Sequence, residues 1–168
     1  MFAEIQFTPI RIEAVLADYT IRGELRSRGN IAIFLNDRNY PTFSLFDCEL
    51  YPLAADRRVE TVRQDLITIE KREVIAVSVL DERALENAQL TVSKRKVIVY
   101  SGRFAIHGLL HVPADAPDED VLDEKRDFFG ITEGSIYPLA PVGTNPFTSS
   151  PLILVNRQTI QAYSVHAS

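Results

Sequence analysis

The two histidines His107 and His111 have a spacing that is often associated with metal binding. An H-x-x-x-H pair on a helix would direct both imidazoles at one metal ion, but the residues around this pair alternate between apolar and polar, which predicts a strand. Side chains four residues apart on a strand lie roughly 13 Å apart, whereas one zinc ion needs both nitrogens at about 2.1 Å. We therefore expect solvent-facing polar residues here and no metal site; His107 and His111 are the ligands to test if a metal binds.

An acidic stretch between residues 115 and 127 is the second place where a cation could bind. A calcium loop of the EF-hand type needs alternating oxygen ligands, a glycine at the sharp turn and a closing glutamate. Pro117 interrupts the stretch and no glycine occurs before Gly130, so this template does not fit. We expect a solvated helix face with an acidic N-terminus. The acidic residues are Asp115, Asp118, Glu119, Asp120, Asp123, Glu124 and Asp127.

Cys48 is the one cysteine of the chain, so an intramolecular disulfide is impossible and a cytoplasmic location is expected. The residues around it alternate between apolar (Phe46, Leu50) and acidic ones, which places the thiol on the apolar side of a strand. A nucleophilic cysteine needs a nearby base and a lowered pKa, and the sequence supplies neither. No nucleophile elbow, P-loop or dinucleotide motif occurs. We predict no catalytic residue and no cofactor.

The charge of the chain argues against nucleic acid and anionic membranes as partners. The 168 residues carry 18 basic and 23 acidic side chains, a net charge of −5. Residues 1–84 hold 11 basic and 14 acidic residues, and residues 85–168 hold 7 and 9, so the halves carry −3 and −2. Phosphate backbones attract clustered Lys and Arg. The basic triplet at residues 94–96 is expected to protect a strand edge or to solubilise a loop.

The sequence also predicts no membrane-spanning helix and no signal peptide. No stretch of about 18 consecutive apolar residues occurs. The first residues, MFAEIQFTPIRIEAV, lack the basic and apolar regions of a signal peptide. We expect a cytoplasmic protein without a membrane partner.

Internal similarity indicates that the chain is a tandem duplication. Blocks that recur in the same order at nearly constant spacing are the signature of a repeat. The matching blocks are 19–25 with 104–110, 51–54 with 137–140, and 66–71 with 152–157, at shifts of 85, 86 and 86 residues. We divide the chain into a first β-unit at residues 1–80, a connector at 81–91 and a second β-unit at 92–168.

Each unit is predicted to contain about five strands and one short helix, so the fold class is mainly β. The clearest strand, residues 19–26, alternates between apolar and polar residues and carries Gly23 at its middle; its counterpart carries Gly108. A mid-strand glycine suggests a bulge or a sharp bend, as in strands that curl into a small barrel. We expect two small β-barrels or curled sheets that pack about a pseudo-twofold axis into one compact body.

The remaining elements of each unit are predicted from prolines, capping residues and short apolar runs. The long third strand is expected to end at Pro52 in one unit and at Pro138 in the other, because proline ends ladder pairing or lies on an edge. A hairpin is expected to close each unit, pairing 66–69 with 74–79 and 152–155 with 160–165. The short helix is expected at 30–37 in the first unit and, capped by Asp118, at 118–126 in the second; the apolar run 31–35 fits a strand equally well. Residues 81–89 are expected to form about one helical turn.

The second unit carries four motifs in order: Phe104-x-Ile106-x-Gly108-x-Leu110-His111-x-Pro113, Val121-Leu122, Phe128-Phe129-x-Ile131-Thr132 and Leu154-Val155-Asn156-Arg157-x-x-Ile160. This pattern resembles an uncharacterised family of bacterial β-rich domains, which has no assigned activity. The first unit departs from it, with Arg26-Ser27-Arg28 in place of His-x-Pro and Glu70-Lys71 in place of Asn-Arg. A function of those positions would therefore belong to the second unit alone. More loosely, each unit resembles Sm-type small barrels, an analogy of fold that implies no function.

The sequence favours a non-catalytic function: a binding or assembly module that recognises a protein partner or self-associates through exposed strand edges. One alternative is a small-ligand or flavin-binding protein or enzyme with a pocket between the two units. The second alternative is Sm-like nucleic-acid binding. Flavin absorbance would favour the first alternative, and salt-dependent retention on heparin or RNA would favour the second.

Overall fold

The chain forms ten strands within the residues that the structure describes. The computed structural model describes residues 8–27, 29–56, 60–86, 90–91, 93–122, 126–146 and 149–166. The strands are β1 Thr8–Val15, β2 Tyr19–Ser27, β3 Thr42–Pro52, β4 Val62–Glu70, β5 Ala76–Val79, β6 Lys94–Ser101, β7 Phe104–His111, β8 Phe128–Pro138, β9 Ser149–Asn156 and β10 Ile160–His166. The helices are α1 Ile31–Asn36 and α2 Arg83–Glu86, with short 3-10 turns at Lys71–Glu73, Asp118–Asp120 and Arg157–Thr159. The predicted mainly β class is confirmed.

All ten strands belong to one antiparallel sheet in the order β10-β6-β7-β8-β9-β5-β1-β2-β3-β4. The first half (β1–β5) and the second half (β6–β10) meet where β5 pairs with β9. The edges β10 and β4 do not pair with each other, so the described strands form an open sheet and do not close into barrels. The predicted pseudo-twofold axis is not confirmed: it would relate the β5–β9 pair to a β10–β4 pair, and the described sheet contains only the first of these.

The closing hairpins predicted for residues 66–79 and 152–165 are wrong. β4 pairs with β3, whereas β5 pairs with β1 and β9; in the second half, β9 pairs with β8 and β5, whereas β10 pairs with β6. The 3-10 turns that begin at Lys71 and Arg157 redirect the chain. The strand after each turn therefore joins the first strand of its own half instead of the strand just before it.

The middle strands are buried on both faces, because alternate side chains of a strand point in opposite directions and enter two different hydrophobic clusters. On β9, Leu152 and Leu154 pack into one cluster, whereas Ile153 and Val155 pack into the other. All four residues of β5 are buried as well. The contact between the halves is therefore part of both cores.

The short helix of the first half is capped and is tied to the second half. The Asn30 side chain accepts a hydrogen bond from the backbone N–H of Ala32 at 2.8 Å, as an N-cap does. Asn36 joins α1 to β8: its Nδ2 donates to the Phe128 carbonyl at 3.0 Å, and its Oδ1 accepts from the Phe128 N–H at 2.8 Å. The alternative of a strand over residues 31–35 is therefore wrong.

The predicted helix at 118–126 is only a 3-10 turn in its described part, and Asp118 is not its N-cap. Pro117 precedes the turn and Asp118 is ion-paired with Arg95; residues 123–125 lie outside the described residues. In the connector, α2 supplies the predicted helical turn. None of the helices in the described ranges has the length and apolar character needed to cross a membrane.

Asn156, at the end of β9, fastens the two halves together, and its loss is expected to destabilise the fold. Its Nδ2 donates to the carbonyl of Val74 at 2.8 Å and approaches those of Lys71 and Arg72 at 3.4 and 3.5 Å. Asn156→Ala leaves these carbonyls without the amide, which costs about 1–3 kcal/mol. Glu70, at the end of β4, is exposed, so Glu70→Ala should change the free energy of unfolding by less than about 0.5 kcal/mol. Urea denaturation measures both; equal losses would contradict the fastening role.

Candidate functional site

The edge strand β4 presents an accessible backbone and apolar side chains. It is nine residues long and pairs with β3 on one side, and no described strand lies on its other side. Ile69 is its one fully buried residue, and Leu66 is exposed. Open strand edges pair readily with a further strand, and lysine or proline commonly protects them. β4 contains neither.

The opposite edge strand, β10, is similarly accessible. It pairs with β6, with an irregular register between Ile160 and Ala162. None of its seven residues is fully buried. Tyr163 is exposed, and its hydroxyl donates to the Glu119 carbonyl at 2.7 Å. β10 also lacks lysine and proline, so the sheet offers one antiparallel edge at each end.

Two more exposed apolar side chains lie at the β10 end of the sheet. Tyr100 is on β6, where it is opposite Ala162 of β10. Leu139 follows β8, and its backbone N–H donates to the Arg103 carbonyl in the β6–β7 turn at 2.7 Å. The other large apolar side chains that are exposed in the described structure are Tyr19, Ile33, Tyr40 and Tyr137.

His107 and His111 both lie on β7 and are half-buried. The His107 ring makes an edge contact with Tyr137, with centroids 5.1 Å apart. Both ring nitrogens of His111 are engaged, Nδ1 at 2.8 Å from the Thr91 carbonyl and Nε2 at 2.7 Å from the Thr132 hydroxyl. The Thr91 carbonyl can only accept, so Nδ1–H donates to it, and Nε2 shares a hydrogen bond with the Thr132 hydroxyl. No cluster of three or more His, Cys, Asp or Glu suited to a metal occurs among the described residues.

Cys48 is buried, as predicted. The carbonyl oxygens of Leu45 and Gln64 lie 3.2 and 3.3 Å from its Sγ and share its single hydrogen. Burial raises the pKa of the Cys48 thiol, so it is protonated at neutral pH. These surroundings suit a core residue, whereas a nucleophile needs a lowered pKa.

A buried ion pair between Glu13 and Arg22 was not predicted from the sequence. Arg22 Nε lies 2.6 Å from the carboxylate of Glu13, which is fully buried. The guanidinium lies 4.5 Å from the centre of the Tyr51 ring, and its Nη2 donates to the Asn145 carbonyl of the second half at 3.1 Å. The hydrogen bond to Glu49 and, less strongly, burial raise the pKa of Tyr51. The signal was present as opposite charges at facing positions of β1 and β2.

The four predicted structural residues occupy matching places in the two halves. The register between β2 and β3 shifts at Gly23, and the register between β7 and β8 shifts at Gly108. Pro52 is the last residue of β3, and Pro138 is the last residue of β8. The structure also brings Gly23 against Cys48, since a Cβ at Gly23 would lie 3.0 Å from the Cys48 Cβ.

Ion pairs engage part of the acidic stretch and part of the basic triplet in the described structure. Arg95 of the triplet is ion-paired with Asp118, while Lys94 and Lys96 are exposed on β6. Asp127 pairs with Arg38 at 3.0 Å. Asp123 and Glu124 lie outside the described residues.

An open groove of about 1020 Å³ lies between α1 and strands β8 and β9. Its apolar lining includes Ile10, Ala32 and Phe128, and its polar lining includes Asn36 and Arg83. The volume is in the range of small-molecule sites. The groove is lined by residues of both halves.

These features define a mainly β protein with one open antiparallel sheet and an accessible strand at each end. No family model, no curated protein and no solved structure matches the chain. The resemblance to an uncharacterised bacterial family and the tandem duplication therefore stay predictions.

Proposed function

We propose that the chain is a duplication of one five-strand unit, with the units at residues 1–80 and 92–168. Three observations support this. The orders β5-β1-β2-β3-β4 and β10-β6-β7-β8-β9 are the same when strands are numbered within each half. The register shifts at Gly23 and Gly108 are 85 residues apart. Asp47 and Glu133, 86 residues apart, both adopt a left-handed φ, of 47° and 49°, which is uncommon outside glycine.

We further propose that the protein is a non-catalytic assembly module that self-associates through its two sheet edges. The observation that carries this proposal is the accessibility of β4 and β10, which contrasts with the complete burial of β5 in the middle of the sheet. Strand addition at an open edge supplies main-chain hydrogen bonds, and neighbouring pockets select the side chains. Leu66 at one edge and Leu139 near the other supply apolar surface for such a contact.

Sedimentation and native mass spectrometry of the purified protein test this function. We expect the wild type to form oligomers and the double variant Leu66→Lys/Leu139→Lys to be monomeric at the same concentration. The matched control is Ile33→Lys/Tyr40→Lys, which places the same charges on large apolar residues that are also exposed but lie on α1 and the loop after it. A monomeric wild type at every concentration, or equal dissociation of both variants, would contradict the proposal.

The groove between α1, β8 and β9 supports a second candidate function, binding of a small ligand such as a flavin. Its lining combines apolar side chains with polar ones, as sites for aromatic ring systems do. A flavin retained through purification would give visible absorbance and a mass increment in native mass spectrometry. A colourless protein with the mass of the bare chain would contradict flavin binding.

A further inference from the structure

We infer that the partner at each edge is a second copy of this chain, bound head to tail, so that β10 of one copy pairs with β4 of the next. The inference rests on the proposed function and adds to it the strands, their direction and their register. The chain already contains one contact of this kind, between β5 and β9.

The internal contact defines the geometry of the proposed one. β5 and β9 are antiparallel, and Ala76–Val79 lies opposite Leu152–Val155, with Ala76 facing Val155. Beyond the paired residues, the Asn156 N–H donates to the Ile75 carbonyl at 2.9 Å. One half thus contributes its last strand, and the other half contributes its fourth.

The two edge strands are the counterparts of these two inner strands. The segment Ala76-Val77-Ser78-Val79 of β5 recurs 86 residues later in β10 as Ala162-Tyr163-Ser164-Val165. The segment Leu152-Ile153-Leu154-Val155 of β9 is preceded by 86 residues in β4 by Leu66-Ile67-Thr68-Ile69. The open edges are therefore the two sides of the contact that the chain makes internally.

Burial of the strand residues distinguishes the inner contact from the edges. Leu66 of β4 is 51 % exposed, whereas its counterpart Leu152 is 2 % exposed. Tyr163 of β10 is 36 % exposed, whereas its counterpart Val77 is fully buried. The compared residues occupy equivalent positions in the two halves, but β5 and β9 pair with each other whereas β4 and β10 each lack a strand on one side in the described sheet.

The same contrast holds for side chains next to the strands. Leu53 and Val15 of the first half are fully buried in the cluster that also contains Ile153 and Val155 of the second half. Their counterparts Leu139 and Tyr100 are 60 % and 36 % exposed. Leu66, Tyr163, Leu139 and Tyr100 are thus four of the eight large apolar side chains that are exposed in the described structure. A contact like the internal one would cover all four.

Transferring the internal register gives the pairs expected between copies. They are Ala162 with Ile69, Tyr163 with Thr68, Ser164 with Ile67, and Val165 with Leu66, the first residue of each pair being on one copy and the second on the next. The contact is heterologous, so copies add in one direction and form a ring or a filament. An isologous contact, such as β4 with β4, would not repeat the internal pairing.

One residue makes the proposed contact weaker than the internal one. Asn156 of β9 donates to the carbonyls of the turn before β5. Its counterpart on β4 is Glu70, and an ionised carboxylate has no hydrogen to donate. Glu70 would face the carbonyls of Arg157, Gln158 and Ile160 on the neighbouring copy. We therefore expect a reversible association between copies.

Disulfide trapping between two differently labelled single variants tests the register. In a Cys48→Ala background, Ile67→Cys protein is mixed with Ser164→Cys protein, and Thr68→Cys protein is mixed with Tyr163→Cys protein. Facing residues of an antiparallel pair lie about 4.5–5.5 Å apart, within the range that a disulfide spans. We expect the mixed disulfide in at least one of the two mixtures, at least about fivefold above the offset mixture of Ile67→Cys with Ala162→Cys.

The possible outcomes separate this inference from the proposed function. Oligomers in which the Ile67→Cys variant links mainly to itself, or in which the offset mixture links equally well, overturn the head-to-tail register but leave assembly intact. A monomeric wild type overturns both.

Glu70→Asn gives an independent test on the uncrosslinked protein, because it restores the amide that the internal contact uses. We expect the dissociation constant between copies to fall about tenfold, from the hydrogen bonds gained. Asp115→Asn, which removes one exposed negative charge in the turn after β7, is the control for net charge. An unchanged constant for Glu70→Asn, or the same gain for Asp115→Asn, contradicts the inference.

Discussion

Gly108→Val is expected to lower the free energy of unfolding by at least about 3 kcal/mol, because it overpacks the contact between β7 and β8. A Cβ at Gly108 would lie 2.2 Å from the Ile131 Cγ2 and 2.8 Å from the carbonyl oxygen of Thr132. Ile131 is β-branched and fully buried, so its Cγ2 cannot readily turn away, and the carbonyl belongs to the backbone of the neighbouring strand. The two strands must therefore separate to accept the new side chain, and valine adds two methyl groups to the clash.

Two further variants calibrate this prediction. Gly23→Val should cost less, about 1–3 kcal/mol, because a Cβ there would lie 3.0 Å from the Cys48 Cβ and 3.1 Å from both the Leu45 Cβ and the Phe46 carbonyl oxygen. His107→Ala, next to Gly108 on a half-buried position, should cost less than about 1 kcal/mol. Thermal and urea unfolding compare the three. Equal stability of all three variants would show that neither glycine is needed for close approach of the strands.

Local patterns in the sequence predicted the strands well but not their partners. The alternation at residues 19–26 and the proline at residue 52 gave β2 and the end of β3 almost to the residue. The apolar run at 74–79 also predicts a strand, and β5 lies there, but the predicted pairing with residues 66–69 is wrong. Its actual partners β1 and β9 are distant in sequence, and pairing of that kind depends on packing in the whole sheet, not on local preference.

The exposed edge could not be predicted for the same reason. Leu66-Ile67-Thr68-Ile69 and Leu152-Ile153-Leu154-Val155 are nearly the same pattern, but the first lies at the edge of the sheet and the second lies at its middle. Leu152 is buried because β5 lies beside β9, whereas Leu66 is exposed because no described strand lies beside β4 on that side. The strand position of His107 and His111 followed from alternation. Cys48 is buried as well, but not by that pattern, because the irregularity at Asp47 shifts the phase of β3 and places Cys48 on the same side as Leu45 instead of Phe46.

The burial of Glu13 is the clearest failure of alternation. The residue lies between Ile12 and Ala14, and a half-exposed strand would turn it toward solvent. β1 is instead central in the sheet, between β5 and β2. The loop residue Asn145 of the second half contacts Arg22 beside it. Contacts from the second half thus contribute to the surroundings of the ion pair.

Arg22→Met is expected to lower the free energy of unfolding by about 3–5 kcal/mol, because it removes a cation from beside a buried carboxylate. The Glu13 carboxylate is fully buried and lies 2.6 Å from Arg22 Nε, and the variant leaves it buried without this cation. The double variant Glu13→Leu/Arg22→Met removes both charges and should recover most of the loss, since apolar replacements of buried ion pairs are often neutral. If the double variant is as unstable as Arg22→Met, the loss arises from the lost packing of Arg22 on Tyr51 and not from leaving the buried carboxylate without its cation.

A second ion pair shows whether the expected loss of stability comes from the burial of the pair or from the short distance between its charges. Arg83 and Asp81 also approach to 2.6 Å, but the Arg83 side chain is 73 % exposed. Exposed pairs are screened by water and contribute little, so Arg83→Met should leave the urea midpoint unchanged while Arg22→Met lowers it strongly. The two pairs have the same separation, and a similar loss in both variants would mean that the burial of Glu13 does not determine the strength of its interaction with Arg22. A large difference would assign that strength to the position of β1 at the centre of the sheet.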